Sequence, residues 1–326
     1  MRRILSLILI FIIPLTLGGC QKQMTEQHFF AMDTVMTLQL DTADPALFAL
    51  CETEVSRLEG LFSVTIEDSE IARLNRGEQA SLSSDTRTVL QKGLALSAET
   101  EQAFCLSLYA ASKLWDFGGE PRIPTAAELE AVRPLIDDTS LMLDGSTFLM
   151  PKNVMLDLGG IAKGYAADRL AALLAENGVE HYFLSLGGNV QVGGGNPNGE
   201  PWRVGIADPQ GGEYVGIVTL TDGAVVTSGG YQRNFTQDGK TYHHILDRAT
   251  LAPADSGLLS ATALAADGTT ADALSTAFFV MGEEAALRYC AAHEGIDCIL
   301  ITADHRVVTS NGLNFTLHNT EYTYEK

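Results

Sequence analysis

Apolar residues recur at helical spacing over Pro45 to Leu61, where Leu47, Leu50, Val55, Leu58 and Leu61 fall on one stripe. The same kind of spacing returns over Ser84 to Ala98 with Val89, Leu90, Leu94 and Leu96, so both stretches are expected to be amphipathic helices. A third helix is expected over Phe104 to Trp115, with Leu106, Tyr109, Ala110 and Leu114 on its apolar face and Gly118-Gly119 as its stop. Thr125 opens a fourth through a Thr-x-x-Glu capping box completed by Glu128. Ahead of these, Met36 to Leu40 alternates like a strand.

From Ser140 the pattern changes to short apolar runs, which predict strands at Leu141 to Leu143, Phe148 to Met150 and Val154 to Leu158. A helix follows from about Ile161 to Glu176, stopped by Asn177-Gly178. Strands are then expected at Tyr182 to Leu186, Arg203 to Ala207, Val215 to Leu220, Tyr242 to Leu246, Leu258 to Leu264 and Cys298 to Thr302, with helices at Thr270 to Met281 and Glu283 to His293. Helices and strands mix without a strict βαβ alternation, which favours an α+β fold over a doubly wound sheet. A boundary between lobes of one unit is expected near residues 120 to 150.

The first residues do not belong to this pattern. Arg2 and Arg3 precede an apolar run from Ile4 to Leu17, which reads as a signal peptide over residues 1–19. Leu17-Gly18-Gly19-Cys20 resembles a bacterial lipobox, so Cys20 is expected to become the lipidated first residue. Residues 20–28, with the polar stretch Gln21 to Gln27, are expected to form a tether, and 29–326 the domain. The protein is then expected at the extracytoplasmic face of a bacterial cell-envelope membrane, held by its acyl chains. A plain secretory signal or a short anchor helix is the alternative.

With 326 residues and 46% hydrophobic content, the chain can bury a substantial core, which excludes a disordered or collagen-like chain. It carries 41 acidic against 21 basic residues, a net −20; removing Arg2 and Arg3 leaves 19 basic residues and −22. Such a surface repels a phosphate backbone, so nucleic acid is not an expected partner. Cys51, Cys105, Cys290 and Cys298 remain after the leader and permit two disulfides in any of three pairings. None lies in a Cys-x-x-Cys or Cys/His cluster, so zinc is unsupported.

Three stretches carry more than a core demands. Asp157-Leu-Gly-Gly-Ile-Ala-Lys-Gly-Tyr-Ala-Ala-Asp168 places two glycines before a helix, where backbone can approach a ligand and a helix N-terminus favours an anion, with Lys163 adding charge. The spacing is neither a P-loop nor a Rossmann fingerprint, and a tight turn with a surface lysine looks the same. Thr227 to Asp247 predicts a hairpin around Asp238-Gly239, with His243 and His244 pointing to opposite faces and one of them at the surface. A strand histidine is often structural, but Ser228 and Asp247 nearby suit a site acid or base. In Thr270 to Thr276, Asp272 and Thr276 are four apart on one helix face and Ser275 borders it, giving hard oxygens fit for magnesium, or an ordinary polar face.

Taken together and in order, these stretches resemble one family from about Phe30 to the C-terminus. The carrying residues are Met32-Asp33-Thr34, Asp157 to Asp168, Ser185-Leu186-Gly187-Gly188-Asn189, Thr227-Ser228-Gly229, Tyr242 to Asp247 and Ala271 to Thr276. The chain resembles the ApbE family of FAD:protein FMN transferases. The resemblance implies an ApbE-like, T-fold-like α+β unit of two lobes that binds FAD in a groove between them, with Mg²⁺ on the pyrophosphate. It implies transfer of FMN to a Ser or Thr hydroxyl of an acceptor, a subunit of a membrane or extracytoplasmic redox system, with release of AMP. Asp272, Thr276, the Gly160 carbonyl and Ser275 are implied metal ligands. Met32, Ala103, Phe104, Cys105, Asp157, Lys163, Ser228 and His244 are implied flavin-nucleotide contacts, and His244 the catalytic acid/base.

Two departures from the family pattern stand out. An acid usually follows the apolar residue at Phe104, where this chain has Cys105. The usual Asp-Pro-x-Thr-Gly turn reads Asp247-Arg248-Ala249-Thr250-Leu251, which predicts a loop of different shape. An FAD pyrophosphatase giving FMN and AMP, and a flavin-binding lipoprotein without chemistry, are the competing readings.

Overall fold

The computed structural model describes residues 24–78, 81–145 and 147–325. The leader and Cys20 lie outside the described residues. The chain opens with strands β1 (Thr25–Ala31) and β2 (Thr34–Leu40), followed by helices α1 (Pro45–Phe62), α2 (Glu70–Asn75), α3 (Ser84–Glu99), α4 (Tyr109–Trp115) and α5 (Ala126–Val132). A small hairpin, β3 (Met142–Asp144) and β4 (Thr147–Leu149), leads to α6 (Ala162–Glu176). Then come β5 (Tyr182–Leu186), β6 (Asn189–Gly193), β7 (Trp202–Ala207), β8 (Tyr214–Leu220), β9 (Gly223–Gly229), β10 (Asn234–Gln237), β11 (Lys240–His243) and β12 (Leu258–Ala265). Helices α7 (Gly268–Met281) and α8 (Glu283–Ala292) precede β13 (Asp297–Thr302), β14 (Arg306–Thr309), β15 (Phe315–Leu317) and β16 (Thr323–Glu325).

Nine strands form the main sheet in the order β1-β2-β5-β6-β9-β12-β13-β14-β16, antiparallel except for the last pair. Strands from both sides of residues 120–150 therefore share one sheet. Helices α1, α6, α7 and α8 pack on one face of it, and β15-β8-β7 covers part of the other. In β13, Cys298 and Leu300 face the helices while Ile299 and Ile301 face the small sheet. That double burial is why the strand reads as an unbroken apolar run rather than an alternation. Helix α7 is buried almost all round, its polar Asp272 and Ser275 included. Among the described residues, no helix is long and apolar enough to cross a membrane.

Several expectations need correction. Residues 25–28, expected in the tether, already belong to strand β1, paired residue by residue with β2. The helix expected over Phe104 to Trp115 is split, with Phe104 and Cys105 outside it, a single 3₁₀ turn over Leu106–Leu108, and α4 ending where Asp116 turns left-handed, ahead of Gly118. The buried Asp138 carboxylate is the cause, because it accepts hydrogen bonds from Leu106 N (2.7 Å) and Ser107 N (3.0 Å). Val154 to Leu158 joins no strand; Asn75 pairs with both Leu156 N and Leu156 O, and Asp157 N donates to Leu106 O. The strand expected over Tyr242 to Leu246 stops at His243. In α1 it is Phe48, Cys51 and Phe62 that join Leu47, Val55 and Leu58 in the core, while Leu50 is exposed.

Candidate active site

The three sequence stretches meet where α6 crosses α7. The crossing is backbone against backbone: a Cβ on Gly164 would lie 2.1 Å from Gly268 O, and one on Gly268 would lie 2.5 Å from Gly164 O. Only glycine permits this approach. Two carboxylates hold it together. Asp168 on α6 accepts Gly268 N (2.7 Å) and Thr269 N (3.0 Å) at the start of α7, together with the Thr269 hydroxyl. Asp272 on α7 accepts Gly164 N at 2.8 Å. Asp168, named in the sequence only as the end of its stretch, thus acts as a pin between the two helices.

Around Asp272 lies a cluster of oxygens. Ser275 Oγ donates to Asp272 O (2.8 Å) and lies 2.8 Å from Ser228 Oγ, which is 3.2 Å from Thr276 Oγ1. Gly160 reaches the same place, since a Cβ built on it would sit 3.4 Å from Thr276 Oγ1 and 3.2 Å from the Phe104 ring. The structure therefore brings together Phe104, Gly160, Ser228, Asp272, Ser275 and Thr276. The carboxylate of Asp272 and the hydroxyls of Ser228, Ser275 and Thr276 are oxygen donors of the kind a hard cation takes.

Next to this cluster the charged residues converge. Asp157 accepts its own loop's Gly159 N at 2.8 Å, and Lys163 Nζ reaches Gly159 O at 3.4 Å. Burial pushes the Asp157 carboxyl pKa up, against the opposing pull of that hydrogen bond and of Lys163 and Arg233. Tyr109, another neighbour of Asp157, has its pKa raised first by burial and then by that carboxylate. Arg233 stands 4.0 Å from Asp33, in the two-residue turn Met32-Asp33 that joins β1 to β2 with both residues left-handed. Met32 N is fixed by Glu59 Oε1 at 3.0 Å.

The paired histidines do point apart. His243 packs edge-on against Phe279 of α7, with Nε2 3.1 Å from Ala254 O. His244 turns to the other side, where its Nδ1 donates to Arg233 O at 3.3 Å, which leaves Nε2 with a lone pair. Neither is at the surface, contrary to the expectation for one of them; both are half-buried. Burial, and then the Arg233, His243 and Lys163 charges, lower the His244 pKa to about 4, so its ring is neutral near pH 7. His243 is lowered too, mainly by burial.

These shifts carry a stability consequence. A histidine whose folded pKa lies below its unfolded value of about 6.5 takes up its proton in the unfolded chain first, so stability is complete above that pH and is lost as pH falls towards about 4. Each such group steepens the loss by about 1.4 kcal/mol per pH unit. Urea midpoints should fall between pH 6.5 and 4.5, and less so in His244→Gln; an unchanged slope in that variant would remove His244 from the account.

Cys105 is not brought to the oxygen cluster by its side chain. Its thiol lies 3.3 Å from Asp138 Oδ1 and 3.4 Å from Ser107 Oγ, buried with Trp115, Ile136 and Leu251. The acid missing at this position thus has a neighbour in Asp138. Ala103 packs at the edge of the main core, just before Phe104. The Asp247 to Leu251 loop keeps a tight turn without glycine, because Leu251 itself takes φ 56°, closes on Asp247 O and is held by Trp115 Nε1 donating to Leu251 O. Arg233 and Tyr109 were not singled out from the sequence. The signal available for Arg233 was its place in the hairpin that carries the histidines; Tyr109 gave none beyond its expected apolar face.

The sequence model of the ApbE family matches residues 32–300. An FAD:protein FMN transferase of Vibrio cholerae is 32% identical over 86% of this chain and 89% of its own length, and one of Haemophilus influenzae is 28% identical over 97% and 98%. Among solved structures, the ApbE protein of Thermotoga maritima superposes with a TM-score of 0.83 at 31% identity, covering 89% of this chain and 97% of that one. The flavin transferase ApbE of Vibrio cholerae superposes with a TM-score of 0.78 at 28% identity, covering 91% and 96%.

Proposed function

Because the chain belongs to the ApbE family, we propose that it moves FMN from FAD to a Ser or Thr hydroxyl of an acceptor protein, forming a phosphoester and releasing AMP with Mg²⁺ present. The chain is an FAD:protein FMN transferase; the metal, the bond formed and the leaving group are the parts added here. The observations that support them are the oxygen cluster of Asp272, Ser275, Thr276 and Ser228 with Gly160 against Thr276, and a neutral His244 among the charges of Arg233 and Lys163.

Asp272, Thr276 and the Gly160 carbonyl would hold the ion, with Ser275 at the rim. Mg²⁺ bound there would withdraw charge from the pyrophosphate oxygens. Lys163 and Arg233 supply the local positive potential that a chain of this net charge otherwise lacks for an anionic substrate. His244 Nε2 accepts the proton of the incoming hydroxyl, whose oxygen bonds to the FMN phosphorus as the bond to the AMP oxygen breaks. Phe104 lies against Gly160 and Asp157 beside Lys163, and these two, with Met32 of the β1–β2 turn, suit the flavin nucleotide. The acceptor fits a subunit of a membrane or extracytoplasmic redox system.

Incubation with FAD, Mg²⁺ and a candidate acceptor tests the reading. Covalent flavin on a Ser or Thr of the acceptor, with AMP in equal amount, is expected. Free FMN and AMP without labelled acceptor would replace it with a pyrophosphatase, and unchanged FAD with a binding protein.

The leader supports a second part of the proposal, attachment to the outer face of a cell membrane through lipid on Cys20. The protein should then stay with membranes through a high-salt wash, since an acyl attachment is not screened. Cys20→Ala should abolish fatty-acid incorporation, while the chain begun at Thr25 keeps its transfer activity because β1 starts there. Fatty-acid labelling that persists in Cys20→Ala would refute the anchor.

A further inference from the structure

Helix α7 carries Asp272, Ser275 and Thr276, yet its first turn is held from two other helices. From α6, Asp168 Oδ1 accepts Gly268 N at 2.7 Å, while Asp168 Oδ2 accepts Thr269 N at 3.0 Å and the Thr269 hydroxyl. From α3, Lys92 Nζ donates at 2.6 Å to Asp267, which caps α7 by accepting Thr270 N and the Thr270 hydroxyl, each at 2.9 Å. The two attachments differ in strength. Lys92 and Asp267 have side chains 37% and 39% exposed, where an ion pair contributes little. Asp168 is half-buried and gathers three donors, two of them backbone N–H groups at a helix N-terminus, where a negative charge is favoured.

Asp168 lies about one turn after Gly164 on α6, and Gly268 about one turn before Asp272 on α7. Two clamps of opposite direction therefore sit a turn apart at the crossing: an α6 carboxylate on α7 backbone, then the α7 carboxylate of Asp272 on Gly164 N of α6. One clamp fixes a point; two fix the rotation of α7 against α6. Gly164 N occupies Asp272 Oδ2, and Asp272 Oδ1 makes no hydrogen bond among the described residues, so Oδ1 is the oxygen left for a cation.

We propose that Asp168 is a positioning residue for FMN transfer: by clamping the start of α7 to α6 it holds Asp272, one turn on, in the orientation a divalent cation requires. The inference rests on the reading of Asp272 as a metal ligand. Asp168 itself touches neither metal nor substrate in this account. Its effect passes through the helix: without the clamp, Gly164 N remains the one carboxylate-bound contact at the crossing, α7 gains freedom to turn about it, and binding a cation must then restore the order that the clamp supplies in advance. Ser275 and Thr276 lie on the same helix, about one turn beyond Asp272, and move with it.

The test measures metal binding directly, by titrating the full chain with Mn²⁺ and following the free ion by electron paramagnetic resonance, without FAD or acceptor. Asp168→Asn keeps the side-chain shape, but its amide nitrogen has to face a backbone N–H that the carboxylate accepts. The Mn²⁺ Kd per folded molecule should rise about 10- to 100-fold. In the transfer assay the metal concentration for half-maximal rate should rise in parallel, while kcat at saturating metal stays within a few-fold of wild type. Thr269→Val is the milder variant, removing the hydroxyl donor and leaving both backbone bonds; its Kd should rise only a few-fold, and it keeps the inference testable if Asp168→Asn does not fold. A purely structural role would lower Tm in both variants and leave the Kd of the folded molecules at the wild-type value. That result, in a series where Asp272→Asn has lost Mn²⁺ binding, would overturn the role of Asp168 alone. Undiminished Mn²⁺ binding in Asp272→Asn would instead overturn the metal reading of α7, and the role of Asp168 with it.

Discussion

Asp272→Asn is expected to lower FMN transfer by about 10²- to 10³-fold at millimolar Mg²⁺, a loss of ~3–4 kcal/mol of transition-state stabilisation. Asparagine is the informative replacement because Asp272 has two duties. One of its oxygens accepts Gly164 N at the tight crossing of α6 and α7. An amide oxygen keeps that hydrogen bond and the side-chain shape while removing the charge a cation needs. Asp272→Ala removes both and leaves a buried N–H without its partner, so its lost activity would be confounded with lost stability. Wild-type melting with a Mg²⁺ requirement raised many-fold is the expected signature in Asp272→Asn. Full turnover at ordinary Mg²⁺ would move the metal away from α7.

His244→Asn should reduce transfer by about 10²- to 10⁴-fold, the usual contribution of a positioned general base. His243→Asn separates base from scaffold. Its ring packs on Phe279 and bonds Ala254 O, so the variant should lose on the order of 1–3 kcal/mol of stability but retain turnover per folded molecule. Measuring kcat against the folded fraction distinguishes the two. Equal loss of kcat in both variants would mean that the proton acceptor is not His244.

Adjacent histidines on an extended segment must diverge, and that much needs no coordinates. Which of them meets the site is a different matter. His243 is taken up by α7 and Gly230, whereas His244 is left beside Arg233 and Lys163, and nothing within the hairpin sequence distinguishes those neighbours. Similarly, the hydroxyls of Ser275 and Thr276 could have been an ordinary polar helix face. Near-complete burial of α7 makes them something else, since buried polar groups need partners and here they partner one another and Ser228.

The sequence by itself determined the elements whose signal is local. The apolar stripes of α1 and α3, the Thr125–Glu128 capping box of α5, the Asp238-Gly239 hairpin turn and the apolar run of β13 depend on neighbours a few residues away. The ordered motifs likewise identified the family, because residue types in sequence order survive without coordinates. Tertiary structure decided everything that rests on contacts between distant positions. Asp138 breaks the expected helix at Phe104 and Cys105 from more than 30 residues away, and Asn75 holds Leu156 across 81 residues, so a run that reads as a strand never joins a sheet. Gly164 and Asp272 meet across 108 residues, which turns a glycine and a carboxylate into the support of a site.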